Sequence, residues 1–365
     1  MMKRIQRYIP SGCATAGILH EGGELMGGEI IMQAIAAMHE RSNGLGGGFV
    51  GYGIYPEMKD CYALHLMYDR EGNRPVVEEF LERKMLLVRS ERIPTRPTPG
   101  VGLAPVLWRY FVQVPPAGHR LIDESEDDYV VRIVMRINLE LEGAYVISSG
   151  KNMGVFKGVG YPEDIGQFFR LEEYRAYLWI AHARFPTNSP AWWGGAHPFS
   201  LLEWSVVHNG ELSSYGINKR YVEQFGYRCT LMTDTEVLVY LLDLFLRRQK
   251  LPWKMVCAIL APPFWEQIKR MKSPVKQAAY TALRQVYGGG LANGPFSIIV
   301  GHRRGIIGLT DRIKLRPLIA AQGDGMVYLA SEEAAIRAVC PSPREVWEPR
   351  AGFPVEGRLR EEVVV

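Results

Sequence analysis

Apolar and polar positions follow two different periods along this chain, and the period changes several times. Residues 13–19 form a short apolar run with small side chains on one side, which predicts a strand. Ile30, Ile31, Ala34, Ile35 and Met38 then recur at helical spacing, predicting a helix from Gly27-Gly28 to about Arg41. The next stretch, Asn43-Gly44-Leu45-Gly46-Gly47-Gly48, predicts a flexible loop whose missing side chains permit a close backbone approach. It lacks the Gly-Lys-Ser/Thr of a phosphate loop. Residues 51–55 and 61–67 look like a pair of strands.

The middle differs in character. A helical pattern at 76–85 leads into a stretch punctuated by Pro94, Pro97, Pro99, Pro105, Pro115 and Pro116. The acidic turn 123–128 follows, then an apolar run at 130–141 whose type the periodicity leaves open. The block 70–150 holds too many apolar residues to stay solvated, so it reads as an inserted subdomain and not as a linker.

Strand patterns return at 177–183 and at 204–208, the latter ending in Asn209-Gly210, a turn dipeptide. Thr233-Asp234-Thr235-Glu236 has the form of a capping box and starts a helix running to about Arg248. Residues 296–300 and 305–309 predict a hairpin with His302-Arg303-Arg304 at an exposed tip. A strand at 326–330 precedes a helix opening at Ser331-Glu332-Glu333. The charged stem from Arg358 to the terminal valines is expected either to dock on a partner or to fray. Strands in antiparallel-looking pairs with helices between the pairs point to a layered α+β domain and away from alternating βαβ units.

Composition narrows the class. At 365 residues and 47% hydrophobic the chain suits one large domain or two average ones. A formal charge of only +4 with no basic run argues against nucleic acid as a partner. No stretch approaches the roughly 20 apolar residues of a membrane span. The first ten residues are basic without an apolar core, so they are not a secretory signal. Five scattered cysteines (13, 61, 229, 257 and 340) and no C-x-x-C argue against disulfide frameworks, zinc sites and iron–sulfur clusters. The expected compartment is a reducing cytoplasm. Cys61, Cys229, Cys257 and Cys340 are expected as core or near-surface thiols.

Candidate chemistry gathers around Cys13, in Ser11-Gly12-Cys13-Ala14, and three later segments. These are Ala181-His182-Ala183-Arg184-Phe185-Pro186-Thr187-Asn188, His208-Asn209-Gly210-Glu211-Leu212 and Thr233-Asp234-Thr235-Glu236. Each has a bland reading. Cys13 would be a small buried hydrophobe beside Ala14 and Ala16, and Asn209-Gly210 a tight turn. Arg184 would be a surface ion pair, and Asp234 an acid complementing a helix dipole. Taken together, the four segments resemble the class II glutamine amidotransferases of the N-terminal-nucleophile type. The likeness extends to the glutaminase part of glutamate synthase, where an Arg-Phe-Ser-Thr-Asn motif precedes Asn-Gly-Glu at similar spacing. Asp311-Arg312, Leu315-Arg316-Pro317 and Ala330-Ser331-Glu332 add to the resemblance, which covers roughly 13–70 and 175–340. The 70–150 block resembles the stand-alone glutaminase-like subunit of archaeal-type glutamate synthases. One departure is Ala14, where the family commonly has glycine after the nucleophile.

The resemblance implies a four-layer αββα sandwich of the N-terminal-nucleophile hydrolase type. A leader or propeptide would occupy 1–12, one domain 13–340 with the insertion at about 70–150, and a C-terminal tail 341–365. It implies that removal of 1–12 exposes Cys13, whose thiol becomes the nucleophile and whose α-amine becomes the base. A thiol of pKa about 8.5 beside an amine of about 8 forms such a pair in one step. Asn209 and Gly210 would donate to the oxyanion, Arg184 would hold the glutamine α-carboxylate with help from Thr187, and Asp234 would take the α-ammonium. The implied reaction is hydrolysis of glutamine through a cysteine thioester, with ammonia passed to a separate subunit of glutamate synthase type. Flavin and iron–sulfur centres are expected on that partner only, and no cofactor or metal in this chain. The alternative is a non-catalytic or differently coupled subunit, for example of an N-methylglutamate synthase. The Trp192-Trp193 loop is expected either to cover the glutamine pocket or simply to pack at a domain edge.

Overall fold

The computed structural model describes residues 12–116, 120–186 and 190–363. Two large antiparallel sheets dominate. The first has seven strands, in the order Glu345–Trp347, Ile319–Gly323, Met326–Ala330, Ala14–His20, Leu178–Ala183, Gly47–Tyr52, Met153–Gly158. The second has five, in the order Phe199–Leu201, Trp204–Gly210, Phe296–His302, Gly305–Thr310, Val355–Arg358.

Strand alternation explains how the layers stack. In Ala14–His20 the side chains of Ala16 and Ile18 face one way and Leu19 the other, and all are buried. Leu19, Val50, Val155, Ile180 and Leu329 of the first sheet meet Val207, Ile299 and Ile306 of the second. On the opposite face of the seven-stranded sheet, Phe49, Trp179 and Ala181 pack against Ile31, Ala34, Ile35 and Ile165, which lie on the helices Glu29–Ala36 and Pro162–Phe168. The far side of the five-stranded sheet is covered by Val237, Leu238, Leu241 and Leu242 of the helix Asp234–Leu242. Both sheets are therefore apolar on both faces, which is why their strands read as near-continuous hydrophobic runs.

Several sequence expectations change here. Gly47 and Gly48 are not loop: they begin the strand Gly47–Tyr52, paired with Lys157 and Gly158 on one side and His182 and Ala183 on the other. The close approach is real, since a Cβ on Gly48 would lie 2.3 Å from the His197 carbonyl oxygen. The segments expected as a strand pair, 51–55 and 61–67, belong to different sheets. Tyr62–Tyr68 instead joins Leu86–Arg92, Val106–Gln113 and Ala144–Ser148 in a separate four-stranded sheet. Helices Arg74–Lys84 and Glu126–Glu140 pack on that sheet, so the open run at 130–141 is helix. Tyr62–Tyr68, which precedes the 70–150 block, thus shares a sheet with the strands of that block.

The segment after 340 adds an edge strand to each large sheet and is part of the body as far as Arg358. His302 is not at an exposed tip; its ring sits 5.7 Å from Trp204 and 5.8 Å from Trp253. Cys61, Cys257 and Cys340 are buried and Cys229 is half-buried. Among the described residues no helix is long and apolar enough to cross a membrane.

Candidate functional site

Cys13 lies one residue before the central strand Ala14–His20. That strand pairs with Leu178–Ala183 in a register that sets Ala14 opposite Ala183. The chain just beyond Ala183 is thereby brought to Cys13, and the Phe185 backbone N–H donates to Sγ at 3.3 Å. Arg41 Nε donates to the Cys13 carbonyl oxygen at 3.2 Å, and its Nη1 pairs with Glu332 at 2.7 Å. Ser331 ties the same strand end down: its hydroxyl accepts from Thr15 N at 3.0 Å, and its own N–H donates to Thr15 O at 2.9 Å. The Ala330-Ser331-Glu332 motif thus has a visible task, fixing the residues around Cys13.

Four of the sequence-derived residues line one cavity of about 460 Å³: Cys13, Arg184, Gly210 and Asp234. Gly210 ends the strand Trp204–Gly210 at φ +146°, and a Cβ there would lie 1.9 Å from the Pro295 carbonyl oxygen. No other residue fits without moving the neighbouring strand. Asn209-Gly210 is therefore strand terminus, paired with Ser297 and Phe296, and not a tight turn. Asn209 is buried beside it. Its Oδ1 points toward Gly12, 3.9 Å from where a Cβ on that glycine would sit, and its Nδ2 has no partner among the described residues. Thr187 lies outside the described residues.

Asp234 starts its helix just after the N-cap Thr233, whose hydroxyl accepts from Thr235 N at 3.1 Å. Asp234 Oδ2 accepts from Leu212 N at 2.8 Å, and Oδ1 lies 3.5 Å from His208 Nδ1. Burial alone would push this carboxyl up. The neighbouring His208 and the hydrogen bonds from His208, Leu212 and Thr235 outweigh burial and hold it below the usual range. The capping box suggested by the sequence does not close. Glu236 turns back to accept from Thr230 N at 2.9 Å and Leu231 N at 2.8 Å, bracing the loop that leads to Asp234.

Arg184 is buried, with Nη1 donating to the Pro190 carbonyl oxygen at 3.0 Å. Burial works against its charge, while Cys13 and Asp234 favour it. The Cys13 thiol is likewise pushed up by burial, and the Phe185 N–H, Arg184 and Arg316 recover only part of that shift. The thiol needs a base to act as a nucleophile near neutrality.

Sequence reasoning missed a polar layer in which His197, His208 and Thr235 line the cavity. Thr235 Oγ1 is shared by His197 Nε2 at 2.6 Å and His208 Nδ1 at 3.1 Å. His182 Nε2 meets the His208 carbonyl oxygen at 3.0 Å, and its ring stacks on His197 at 4.1 Å. Burial pushes His182 down to about 3 and His197 well below its ordinary value, so both rings are neutral. Arg41 and Arg316 also went unassigned. The Ala330-Ser331-Glu332 and Leu315-Arg316-Pro317 runs were the available signals. Trp192 and Trp193 do not line the cavity; they pack on Tyr145 and Phe168, which favours the packing reading of that loop. Among the described residues no group of His, Cys, Asp and Glu is placed to hold a metal ion.

A cavity at the strand ends of two packed sheets, holding a half-buried thiol, a buried guanidinium and a charged carboxylate, is the geometry against which the known proteins can be compared. The model of the class-II glutamine amidotransferases matches residues 102–225, a span that includes Arg184, Asn209 and Gly210 and leaves Cys13 and Asp234 outside. An uncharacterized protein of Archaeoglobus fulgidus is 52% identical over 95% of this chain and 92% of its own length. A protein of Methanothermobacter thermautotrophicus, provisionally named a glutamine amidotransferase, is 24% identical over 90% of this chain and 93% of its own. Among solved structures, the glutamine phosphoribosylpyrophosphate amidotransferase of B. subtilis covers 96% of this chain with 50% of its own, at 14% identity and a TM-score of 0.46. The chain belongs to one family with the Archaeoglobus protein and carries a class II glutamine amidotransferase domain.

Proposed function

We propose that this chain hydrolyses glutamine to glutamate and ammonia through a thioester on Cys13, and that it delivers the ammonia to a separate subunit of glutamate synthase type. The observation that carries the reading is the convergence of Cys13, Arg184, Gly210 and Asp234, from four distant stretches of chain, on one cavity of about 460 Å³. The layering of helices, two sheets and helices fits the αββα sandwich of N-terminal-nucleophile hydrolases.

Free glutamine is a zwitterion, and the cavity is lined by the cation Arg184 and by the acidic side chains of Asp234 and Glu211. Arg184 takes the α-carboxylate, and Asp234, held in its charged form, takes the α-ammonium. The side-chain carboxamide then reaches Cys13. The Cys13 α-amine takes the thiol proton, and attack by Sγ on the amide carbon places negative charge on the carbonyl oxygen, where the uncommitted Asn209 Nδ2 and the Gly210 backbone receive it. The C–N bond breaks, and the leaving nitrogen takes a proton from the α-ammonium of Cys13 to depart as ammonia. Water, deprotonated by the same amine, attacks the thioester. Glutamate leaves and the thiol is restored. The base in this scheme is the α-amine, so the Gly12–Cys13 peptide bond must be cut first.

The test is the intact mass of the purified protein together with glutamine turnover by wild type and Cys13→Ala. A mass lacking residues 1–12 and turnover that vanishes in the variant are expected. A full-length mass without turnover would sink the catalytic reading and assign the chain a docking role. Purification of the partner subunit with this chain distinguishes glutamate synthase from an N-methylglutamate synthase.

A further inference from the structure

A second cavity, larger than the one at Cys13, lies away from it. A cleft of about 900 Å³ opens between the helices Trp253–Leu260 and Pro274–Val286 and the 350–356 segment. Its volume is that of a small-molecule site, which typically spans about 300–1,000 Å³. The walls combine an apolar floor, including Ala258, Met271 and Phe353, with three cations from three different parts of the chain: Lys254, Arg312 and Arg350.

The Asp311 carboxylate favours the charge on Arg312, but burial outweighs it. None of the three cations forms an ion pair among the described residues, and the one acid in the wall, Glu356, is engaged by Arg358 at 2.6 Å. Two of them are held in fixed orientation by stacking, Arg312 over Phe264 and Arg350 over Phe353, each 4.4 Å from the ring centroid. A fourth cation, Arg284, stacks on Trp265 at 4.0 Å and is close enough to Arg312 to feel its repulsion. Like charges gathered over an apolar floor cost free energy, and an anion in the cleft offsets it.

A second feature links the cleft to the candidate active site. Arg312 Nη2 donates to Asn293 Oδ1. Asn293 Nδ2 in turn donates to Ser213 Oγ at 3.1 Å, and Ser213 Oγ donates to the Asn293 carbonyl oxygen at 3.0 Å. Ser213 lines the cavity that holds Cys13. Any ligand that draws the Arg312 guanidinium into the cleft competes with its bond to Asn293 and loosens that wall.

We propose that the cleft binds a small organic anion, a carboxylate or phosphate ester carried on an apolar body, and that its occupancy is felt at Cys13 through Arg312, Asn293 and Ser213. The binding stands independently of the glutamine reading; the effect on turnover rests on that reading. Phenyl phosphate is a suitable probe, with benzyl alcohol as its uncharged counterpart. Calorimetry on the full chain should show one phenyl phosphate per chain and no comparable binding of benzyl alcohol. Affinity should fall at least about tenfold in Lys254→Gln/Arg350→Gln, the scale of a lost charge-assisted contact. Both side chains are exposed, so this variant should fold. Undiminished affinity in the double variant, no phenyl phosphate binding, or a cleft that takes only an acidic peptide overturns the site. The coupling is read without turnover, as the iodoacetamide alkylation rate of Cys13 followed by peptide mass. Phenyl phosphate should change that rate in wild type and leave it unchanged in Asn293→Ala. An equal response in both overturns the coupling and leaves the binding result standing on its own.

Discussion

The two cavities of this protein contrast in how their polar groups are held. Around Cys13 backbone N–H groups just past two strand ends hold the polar side chains, Phe185 N on Sγ and Leu212 N on Asp234, while the Arg41 side chain holds the Cys13 carbonyl. In the larger cleft Arg312 and Arg350 are held by stacking on rings, and Lys254 is exposed. In the proposed readings the smaller cavity holds reacting atoms in place and the larger accepts a charge. Size alone would have ranked them the other way. Preorganisation by rigid elements is what separates a site for chemistry from a site for binding.

Substitutions can break or sharpen that contrast. Cys13→Ala has the largest expected effect: glutamine hydrolysis falls below detection, while calorimetry of phenyl phosphate in the cleft is unchanged. Asn209→Ala removes one donor to the oxyanion and should lower kcat by about 10²–10³-fold with little change in KM. A steady-state series in glutamine separates the two parameters. Arg184→Gln should act mainly on KM, by about ten- to a hundredfold, since a hydrogen bond to a charged group contributes about 1.5–3 kcal/mol.

The pH response of Cys13 is a subtler measure. Burial favours the neutral thiol, so thiolate forms only as pH rises past the ordinary thiol value, and the alkylation rate should keep climbing there. Arg184→Gln removes a charge that favours thiolate and should move that rise to still higher pH. A lower midpoint in the variant would contradict the electrostatic account. Glu236→Gln is expected to act on stability and not on turnover. It leaves one acceptor oxygen for the N–H groups of Thr230 and Leu231 and should cost about 1–3 kcal/mol in denaturant unfolding.

Much of the fold was legible because strand and helix periods differ. The strand after Cys13, the helix after Gly28, the 296–309 hairpin and the helix after Thr233 all stand near their expected places. Two of the errors share a cause. Gly47-Gly48 and Asn209-Gly210 look like loop and turn by local propensity, yet both are strand because neighbouring backbone comes too close for a side chain. Tertiary packing overrode the local preference. The partner of Tyr62–Tyr68 was hidden for another reason: strand pairing is a long-range choice that alternation does not encode.

By itself the sequence picked out the residues proposed to carry the chemistry, since a thiol, an arginine, an Asn-Gly pair and a helix-opening aspartate in this order form a pattern that resemblance could read. Only the tertiary structure decided that four of them share one cavity, that Asn209 keeps an unspent donor, and that Arg41 and Ser331 hold the Cys13 end of its strand. The neutral histidine layer and the cationic cleft are also products of folding alone. Burial and the convergence of distant charges are properties of neighbours in space, and no spacing along the chain states them.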